Sequence, residues 1–186
     1  HGKRPVPFST WELPFHAIDY CLKTAGIHLN DVDHIAYSFD PYLLLKEEKG
    51  RSKIEIPLEP GMESGPSKWN SPWEPLFLSS IVNAPAQLKD RYPHHLQTRF
   101  KDAGPGHWNW HFVEHHTAHA ASAFYPSPFL QAAVVTLDGR GEIATTTYNT
   151  GRDNELHRIG QVDMPHSLGL LYERVTSYLG FLHSSD

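Results

Sequence analysis

The chain has 186 residues and a formal net charge of −5, so its composition carries no basic footprint for nucleic acid or for an anionic membrane. Its one cysteine, Cys21, excludes an intramolecular disulfide framework and fits a reducing, cytoplasmic compartment. We find neither an apolar run of about 18 residues nor a basic segment followed by an apolar one, so the sequence predicts no membrane span and no secretory signal.

The first half of the chain predicts two helices, one strand and a long loop. Residues 14–26 carry a proline at the start, an apolar stripe and a glycine at the end, which indicates a helix. Residues 34–39 alternate like a strand. The stretch 46–75 is rich in Pro, Gly, Ser and charge and predicts a solvated loop. Residues 76–92 predict a helix that is kinked or broken at Pro85.

The second half predicts alternating strands and helices that end in a hairpin, a further strand and a helix. This pattern indicates an α/β fold with a mixed sheet and flanking helices. The predicted elements are a strand at 107–113, a histidine-bearing helix, strands at 132–137, 143–148 and 155–162, and a helix at 167–180.

Three histidines stand directly before a run of small residues. His115 and His119 are spaced i,i+4, so on a helix their rings share one face and can bind one divalent metal ion. His116 points about 100° away, which excludes it from the same ion and leaves a substrate contact or support of the ligands open. The alternative is that all three are partly buried polar groups without a ligand.

A glycine-rich turn follows the apolar strand, with the sequence Asp138-Gly139-Arg140-Gly141-Glu142. Asp138 offers a hard oxygen ligand that complements two histidine nitrogens. The amides of Gly139 and Gly141 suit a phosphate, although the same residues also fit an ordinary hairpin turn. Further on, Pro165-His166-Ser167 predicts a helix start with Ser167 as N-cap, which is either a capped helix alone or an anion site.

These motifs closely resemble those of the O-carbamoyltransferases of nodulation and antibiotic tailoring. The resemblance covers residues 113–129, with His-His-x-x-His-Ala-Ala-Ser-Ala-Phe-Tyr, residues 134–142, with Val-Val-Thr-Leu-Asp-Gly-x-Gly-Glu, and residues 166–181, with His-Ser-Leu-Gly-x-x-Tyr. Residues 14–33 are also similar to the family. Three long motifs in the family's order and spacing make the resemblance specific.

The resemblance implies a partial actin-like ATPase (ribonuclease H-like) fold, related to the proteins that make threonylcarbamoyladenosine on tRNA. Family members use carbamoyl phosphate and ATP to form a carbamoyl-adenylate, and then transfer the carbamoyl group to a hydroxyl of a sugar or natural-product acceptor. The expected cofactors are ATP and a divalent metal, Fe²⁺ or a similar ion, with Mg²⁺ accompanying the nucleotide. No nucleic acid or membrane partner is expected.

The resemblance also assigns roles to residues. It implies metal ligation by His115, His119 and Asp138, with a further aspartate ligand beyond residue 186. We expect His166 to bind or deprotonate the acceptor. The residues expected to contact ATP come from the turn and the last helix: Asp138, Gly139, Gly141, Glu142, Ser167 and Gly169.

The chain departs from the family in extent. It begins at His1 without Met and stops at Asp186, so we interpret residues 1–186 as a fragment of the N-terminal actin-like ATP- and metal-binding domain. The resemblance implies that the family's first hairpin precedes His1 and that its C-terminal carbamoyl phosphate domain follows Asp186, outside this chain. We therefore expect this chain to be inactive in isolation.

Two other functions compete with this hypothesis. The first is a non-catalytic nucleotide- or metal-binding interaction module whose contact surface would use the tryptophans from Trp69 to Trp73 with Trp108 and Trp110, although packing is a simpler role for them. The second is a metallohydrolase. It ranks low because no glutamate stands between the histidines as in His-Glu-x-x-His.

Overall fold

The computed structural model describes residues 13–48, 51–54, 74–89, 100 and 103–181. It contains helices together with a parallel and an antiparallel sheet, which confirms the α/β class. The chain divides into two compact units, residues 1–37 with 67–111 and residues 38–66 with 112–186. In the described part of the chain, none of the helices combines the length and the apolar character that a membrane crossing requires.

The first unit is built on a helix and two paired strands. Helix α1 (Phe15–Ala25) ends at Gly26 in the left-handed conformation, as the 14–26 prediction implies. Strand β1 (His34–Tyr37) confirms the strand predicted at 34–39, and it pairs in parallel with a later strand, Asn109–Phe112, the strand predicted at 107–113.

Aromatic side chains of the first unit pack around a small apolar core. Its buried members include Leu29 and Leu88, and Trp108 and Trp110 pack against them. The Trp108 indole N–H donates to the Leu29 carbonyl at 2.9 Å. These two tryptophans therefore have a packing role. Trp69 and Trp73, also considered as a contact surface, lie outside the described residues.

The prediction of a loop at 46–75 is wrong for residues 46–48 and 51–54. Strands β2 (Leu45–Glu48) and β3 (Arg51–Ile54) form an antiparallel hairpin with Glu48 opposite Arg51. Two residues separate the strands, and Gly50 is one of them, a connection that hairpins commonly use. The sequence did not indicate these strands because their many charged residues are typical of a solvated loop. Residues 55–73 of the predicted loop lie outside the described part.

Within the described residues, the helix predicted at 76–92 is two helices, and residues 90–92 of the prediction lie outside the described part. Helix α2 (Glu74–Val82) starts inside the predicted loop, and α3 (Ala84–Gln87) follows after Asn83. The break comes before Pro85 rather than at it. A proline in the first helical turn lacks an N–H that would have no partner there, so it fits the start of α3 but not the middle of a longer helix.

Besides the β2–β3 hairpin, the second unit contains a three-stranded antiparallel sheet with one helix before it and one after it in the sequence. After strand β4 (Asn109–Phe112), the described elements are α4 (His115–Phe124), β5 (Gln131–Leu137), β6 (Ala144–Arg152), β7 (Glu155–Asp163) and α5 (Leu168–Tyr178). The sheet order is β5-β6-β7, which confirms the predicted hairpin and third strand.

Helix α4 packs on this sheet through a small apolar cluster. Ala120, Phe124 and Val134 are buried together. Gly151 gives the Phe124 ring room on β6, because a Cβ built there would stand 2.6 Å from the ring. The small residues of α4 thus let the helix lie close to β5 and β6, and its N-terminus faces the turn between those strands.

Candidate metal centre

One helix face and one strand end form a cluster of three candidate metal ligands. His115 and His119 lie in the first turns of α4, and Asp138 directly follows β5. Asp138 Oδ2 lies 2.7 Å from His115 Nε2 and 3.2 Å from His119 Nε2, and the two nitrogens are 3.0 Å apart. The structure therefore brings together the three residues predicted as ligands.

The spacing of the three donor atoms suits a divalent ion. Donors at 2.0–2.2 Å from a metal and at right angles to one another lie about 3.0 Å apart, whereas tetrahedral angles separate them by about 3.4 Å. The observed separations of 2.7, 3.0 and 3.2 Å fit the first arrangement better. The three side chains would hold such an ion together with further ligands, such as water or substrate oxygens.

The cluster is also reachable and correctly charged. The side-chain exposed fractions are 27% for His115, 50% for His119 and 40% for Asp138. Burial acts to raise the pKa of Asp138, but the hydrogen bonds from His115 and the Gly139 amide and the charges of the two histidines outweigh it, so this pKa lies below its ordinary value. The carboxyl is therefore ionised at neutral pH, as ligation requires.

The turn after Asp138 uses its amides internally. The Gly139 N–H donates to Asp138 Oδ1 at 2.6 Å, which leaves Oδ2 for the histidines, and the Gly141 N–H donates to the Ala144 carbonyl at 2.8 Å. A phosphate would reach either amide only after these bonds open. Phosphate binding by Gly139 and Gly141 stays a prediction.

Glu142 lies inside the protein, with only 2% of the residue exposed. Its carboxylate accepts the Asp40 N–H at 2.6 Å and the His115 N–H at 3.0 and 3.1 Å. Burial raises the pKa of this carboxyl even though those amides act in the opposite direction. A contact between Glu142 and a nucleotide stays a prediction, and it would require the carboxylate to exchange these partners.

His116 is fully buried, so it does not face a substrate. Its Nε2 lies 2.9 Å from the Ala144 carbonyl and its Nδ1 lies 2.7 Å from Thr136 Oγ1. Burial lowers the pKa of His116, so the ring is neutral at neutral pH. Because a carbonyl only accepts, Nε2 carries the proton and Nδ1 accepts from the Thr136 hydroxyl.

The hydrogen bond between Thr136 and His116 is the last of a buried series in which each group donates to the next. The Asn149 amide donates to Thr147 at 2.8 Å, Thr147 and Thr136 hydroxyls lie 2.7 Å apart, and Thr136 donates to His116. Asn149 also donates to the Val134 carbonyl at 3.2 Å. These hydrogen bonds join α4 to β5 and β6 directly beside the candidate ligand His115.

The start of α5 rests against the Asp138 turn. Ser167 Oγ donates to the Gly139 carbonyl at 2.7 Å and accepts the Leu170 N–H at 3.0 Å, which confirms Ser167 as N-cap. Gly169 permits this approach, because a Cβ built there would lie 2.4 Å from the Asp138 carbonyl carbon. The contacts observed for Ser167 and Gly169 are thus structural, and their contacts to ATP stay predictions.

His166 lies at the same place with an exposed side chain. Its N–H donates to the Asp163 carbonyl at 3.0 Å, and its carbonyl accepts the Thr145 hydroxyl at 2.5 Å. These bonds fix its backbone next to the turn. The predicted role toward an acceptor hydroxyl stays a prediction.

Sequence reasoning missed two long-range contacts near the cluster. Arg158 on β7 donates to Glu114, the residue before α4, at 2.7 Å, and the Asp40 amide meets Glu142 from 102 positions away. Spacing along the chain carries no sign of either partner. Thr136 was the detectable case, because a polar residue on the inward face of an apolar strand needs a partner.

Comparisons with known proteins identify the family of the chain. The profile of the family "Carbamoyltransferase N-terminus" matches residues 86–186. An uncharacterized protein of Synechocystis is 39% identical over 172 residues, which cover 90% of this chain and 26% of that protein. Nodulation protein NolNO of Sinorhizobium fredii is 30% identical over 174 residues, which cover 91% of this chain and 21% of that protein.

The chain thus spans about a quarter of the length of these curated relatives. The family match covers more than half of the chain and contains the whole histidine–aspartate cluster, the turn after it and the start of α5. On this evidence the chain belongs to the carbamoyltransferase N-terminus family.

Proposed function

We propose that the chain is part of an ATP-dependent O-carbamoyltransferase that acts on a hydroxyl of a sugar or natural product. In this proposal residues 1–186 belong to the N-terminal actin-like, ribonuclease H-like domain, which binds ATP and a metal ion, and a separate C-terminal domain binds carbamoyl phosphate. The observation that carries it is the cluster of His115, His119 and Asp138 inside the family match.

The chemistry assigns these residues a positioning role. A divalent ion, Fe²⁺ or a similar one, would neutralise phosphate charge when bound to the three side chains. His115 and His119 would supply imidazole nitrogens, and the ionised Asp138 is held by the Gly139 amide with Oδ2 directed at both rings. His166 stands beside this turn and would accept the proton of the acceptor hydroxyl.

The proposed reaction balances only with one water. Water releases inorganic phosphate from carbamoyl phosphate and leaves carbamate, whose oxygen attacks the α-phosphorus of ATP and expels pyrophosphate. The acceptor hydroxyl then attacks the carbamoyl carbon, and AMP leaves as the hydroxyl proton is taken up by a base. The partners are therefore carbamoyl phosphate, ATP and the acceptor, with Mg²⁺ on the nucleotide, in the cytoplasm and without nucleic acid or membrane.

The test is pyrophosphate release by the full-length enzyme without an acceptor. We expect release that requires carbamoyl phosphate, ATP and the divalent ion together, and AMP should appear with it. Residues 1–186 alone should give none. Pyrophosphate release that does not respond to carbamoyl phosphate would contradict the proposed function.

A further inference from the structure

Glu142 connects two segments that are far apart in the sequence. It is buried, and its carboxylate receives the Asp40 N–H at 2.6 Å and the His115 N–H at 3.0 Å on the same oxygen, Oε1. The second oxygen, Oε2, also lies 3.1 Å from the His115 N–H. The amide that Glu142 holds is the backbone amide of a candidate metal ligand.

Without Glu142, the His115 N–H would have no acceptor within the helix. His115 is the first residue of α4, and the first N–H groups of a helix have no partner within it. Within the described part of the chain, the Glu114 side chain makes no capping bond to α4, because its carboxylate binds Arg158 and the Thr117 hydroxyl. Glu142 therefore acts as the cap from another element, and its charge suits the positive end of the helix.

The glycine before Glu142 brings the turn into this position. A Cβ built on Gly141 would lie 2.9 Å from the His116 ring and 3.3 Å from His115 Cβ. The turn that starts at the ligand Asp138 thus ends against the backbone of the ligand His115. A fixed distance between these two ends sets the distance between the carboxylate and imidazole donors.

We propose that Glu142 is a positioning residue of the metal centre. By holding the His115 amide, it fixes the first turn of α4 relative to Asp138, so that three donor atoms meet around one ion. This inference rests on the proposed function for the metal site. It assigns to Glu142 no contact with the ion or with ATP.

Two substitutions of Glu142 separate the effect of its side-chain length from the effect of its charge. Glu142→Gln keeps the length of the side chain and an oxygen that accepts both amides, but removes the charge. Glu142→Asp keeps the charge and retracts the carboxylate by one methylene, so that it cannot hold both amides. Positioning predicts that Gln preserves metal binding and that Asp impairs it, whereas a purely electrostatic role predicts the reverse order.

The experiment is titration of the metal-free full-length enzyme with Co²⁺, followed by the visible absorption bands of the bound ion. We expect Glu142→Asp to raise the Kd for Co²⁺ about 10- to 100-fold, the usual cost of losing an outer-shell partner, and to shift the bands. Glu142→Gln should stay within about threefold of the parent protein. An unchanged Kd and spectrum for Glu142→Asp would overturn the proposal.

Two further Glu→Asp variants are matched controls. Glu114→Asp weakens a different contact to the same helix, and Glu155→Asp changes an exposed residue on β7. Both should keep the Kd for Co²⁺. If Glu114→Asp raises the Kd as much as Glu142→Asp at an equal loss of unfolding free energy, Glu142 acts through general stability and the inference is wrong. His119→Ala that binds Co²⁺ normally would instead overturn the metal site itself, and the inference with it.

Discussion

His119 is the candidate ligand whose removal best separates metal binding from folding. Its side chain is half exposed, and its ring nitrogen contacts His115 and Asp138. We predict that His119→Ala removes the ion and leaves helix content unchanged, because alanine favours a helix. Metal analysis and circular dichroism of the full-length enzyme test this. The control, His157→Ala at an exposed position of β7, should keep the ion, and an ion retained in His119→Ala would refute the assignment.

Neighbouring histidines in this segment have opposite roles. His116, next in sequence to the candidate ligand His115, is inaccessible and holds α4 to the sheet. The helical period already excluded it from the ion shared by His115 and His119, but its hydroxyl partner Thr136 lies 20 positions away. Periodicity assigns a side chain to a face of a helix, and only the packed sheet shows what that face meets.

Loss of the Thr136 hydroxyl should interrupt the buried series of hydrogen bonds. Thr136→Val keeps the shape of the side chain but leaves His116 Nδ1 without a donor and the Thr147 hydroxyl without its acceptor. We predict a loss of about 1–3 kcal/mol in the free energy of unfolding, the cost of stranded buried polar groups. Chemical denaturation measures it. Thr150→Val, on the exposed face of β6, is the control. Equal losses of unfolding free energy in the two variants would contradict a stabilising role for the buried hydrogen bonds.

At the scale of elements, α5 is seated on the turn that carries Asp138. Gly169 is the second residue of this helix, and in a helix alanine is ordinarily more favourable than glycine, by up to about 1 kcal/mol in the interior. Here the added Cβ would stand 2.4 Å from the Gly139 nitrogen and from the Asp138 carbonyl carbon. Backbone atoms cannot yield as a flexible side chain does, so the helix and the turn must separate.

We therefore predict that Gly169→Ala lowers the free energy of unfolding by about 1–3 kcal/mol, the range for overpacking, and also weakens metal binding because Asp138 moves. Denaturant unfolding and Co²⁺ titration check the two effects. Gly160→Ala on β7 is the matched control, since its Cβ would meet Tyr148 at an ordinary 3.8 Å. Stabilisation by Gly169→Ala would show that this contact is relaxed in solution.

For the molecule as a whole, local patterns predicted the elements better than their partners. Apolar runs and caps located α1, α4, the β5–β6 hairpin and α5. The charged β2–β3 hairpin escaped because its residues resemble a solvated loop. The proximity of His115 and His119 was predictable because the two side chains share a helix face, whereas the buried position of Glu142 depends on Asp40 and on the helix start, which only folding brings together.

Metal binding should also stabilise the second unit as a whole. Ligands that come from α4 and from the end of β5 are joined only in the folded state, so an ion bound there must shift the folding equilibrium by RT ln(1 + [M]/Kd), about 2.7 kcal/mol at 100 times the Kd. We predict that the Tm of the metal-free full-length enzyme rises progressively with Co²⁺ concentration. His119→Ala should lose this concentration dependence, while His157→Ala should keep it. A Tm that rises equally in both variants would mean that the ion binds elsewhere, because only the first variant lacks a ligand on α4.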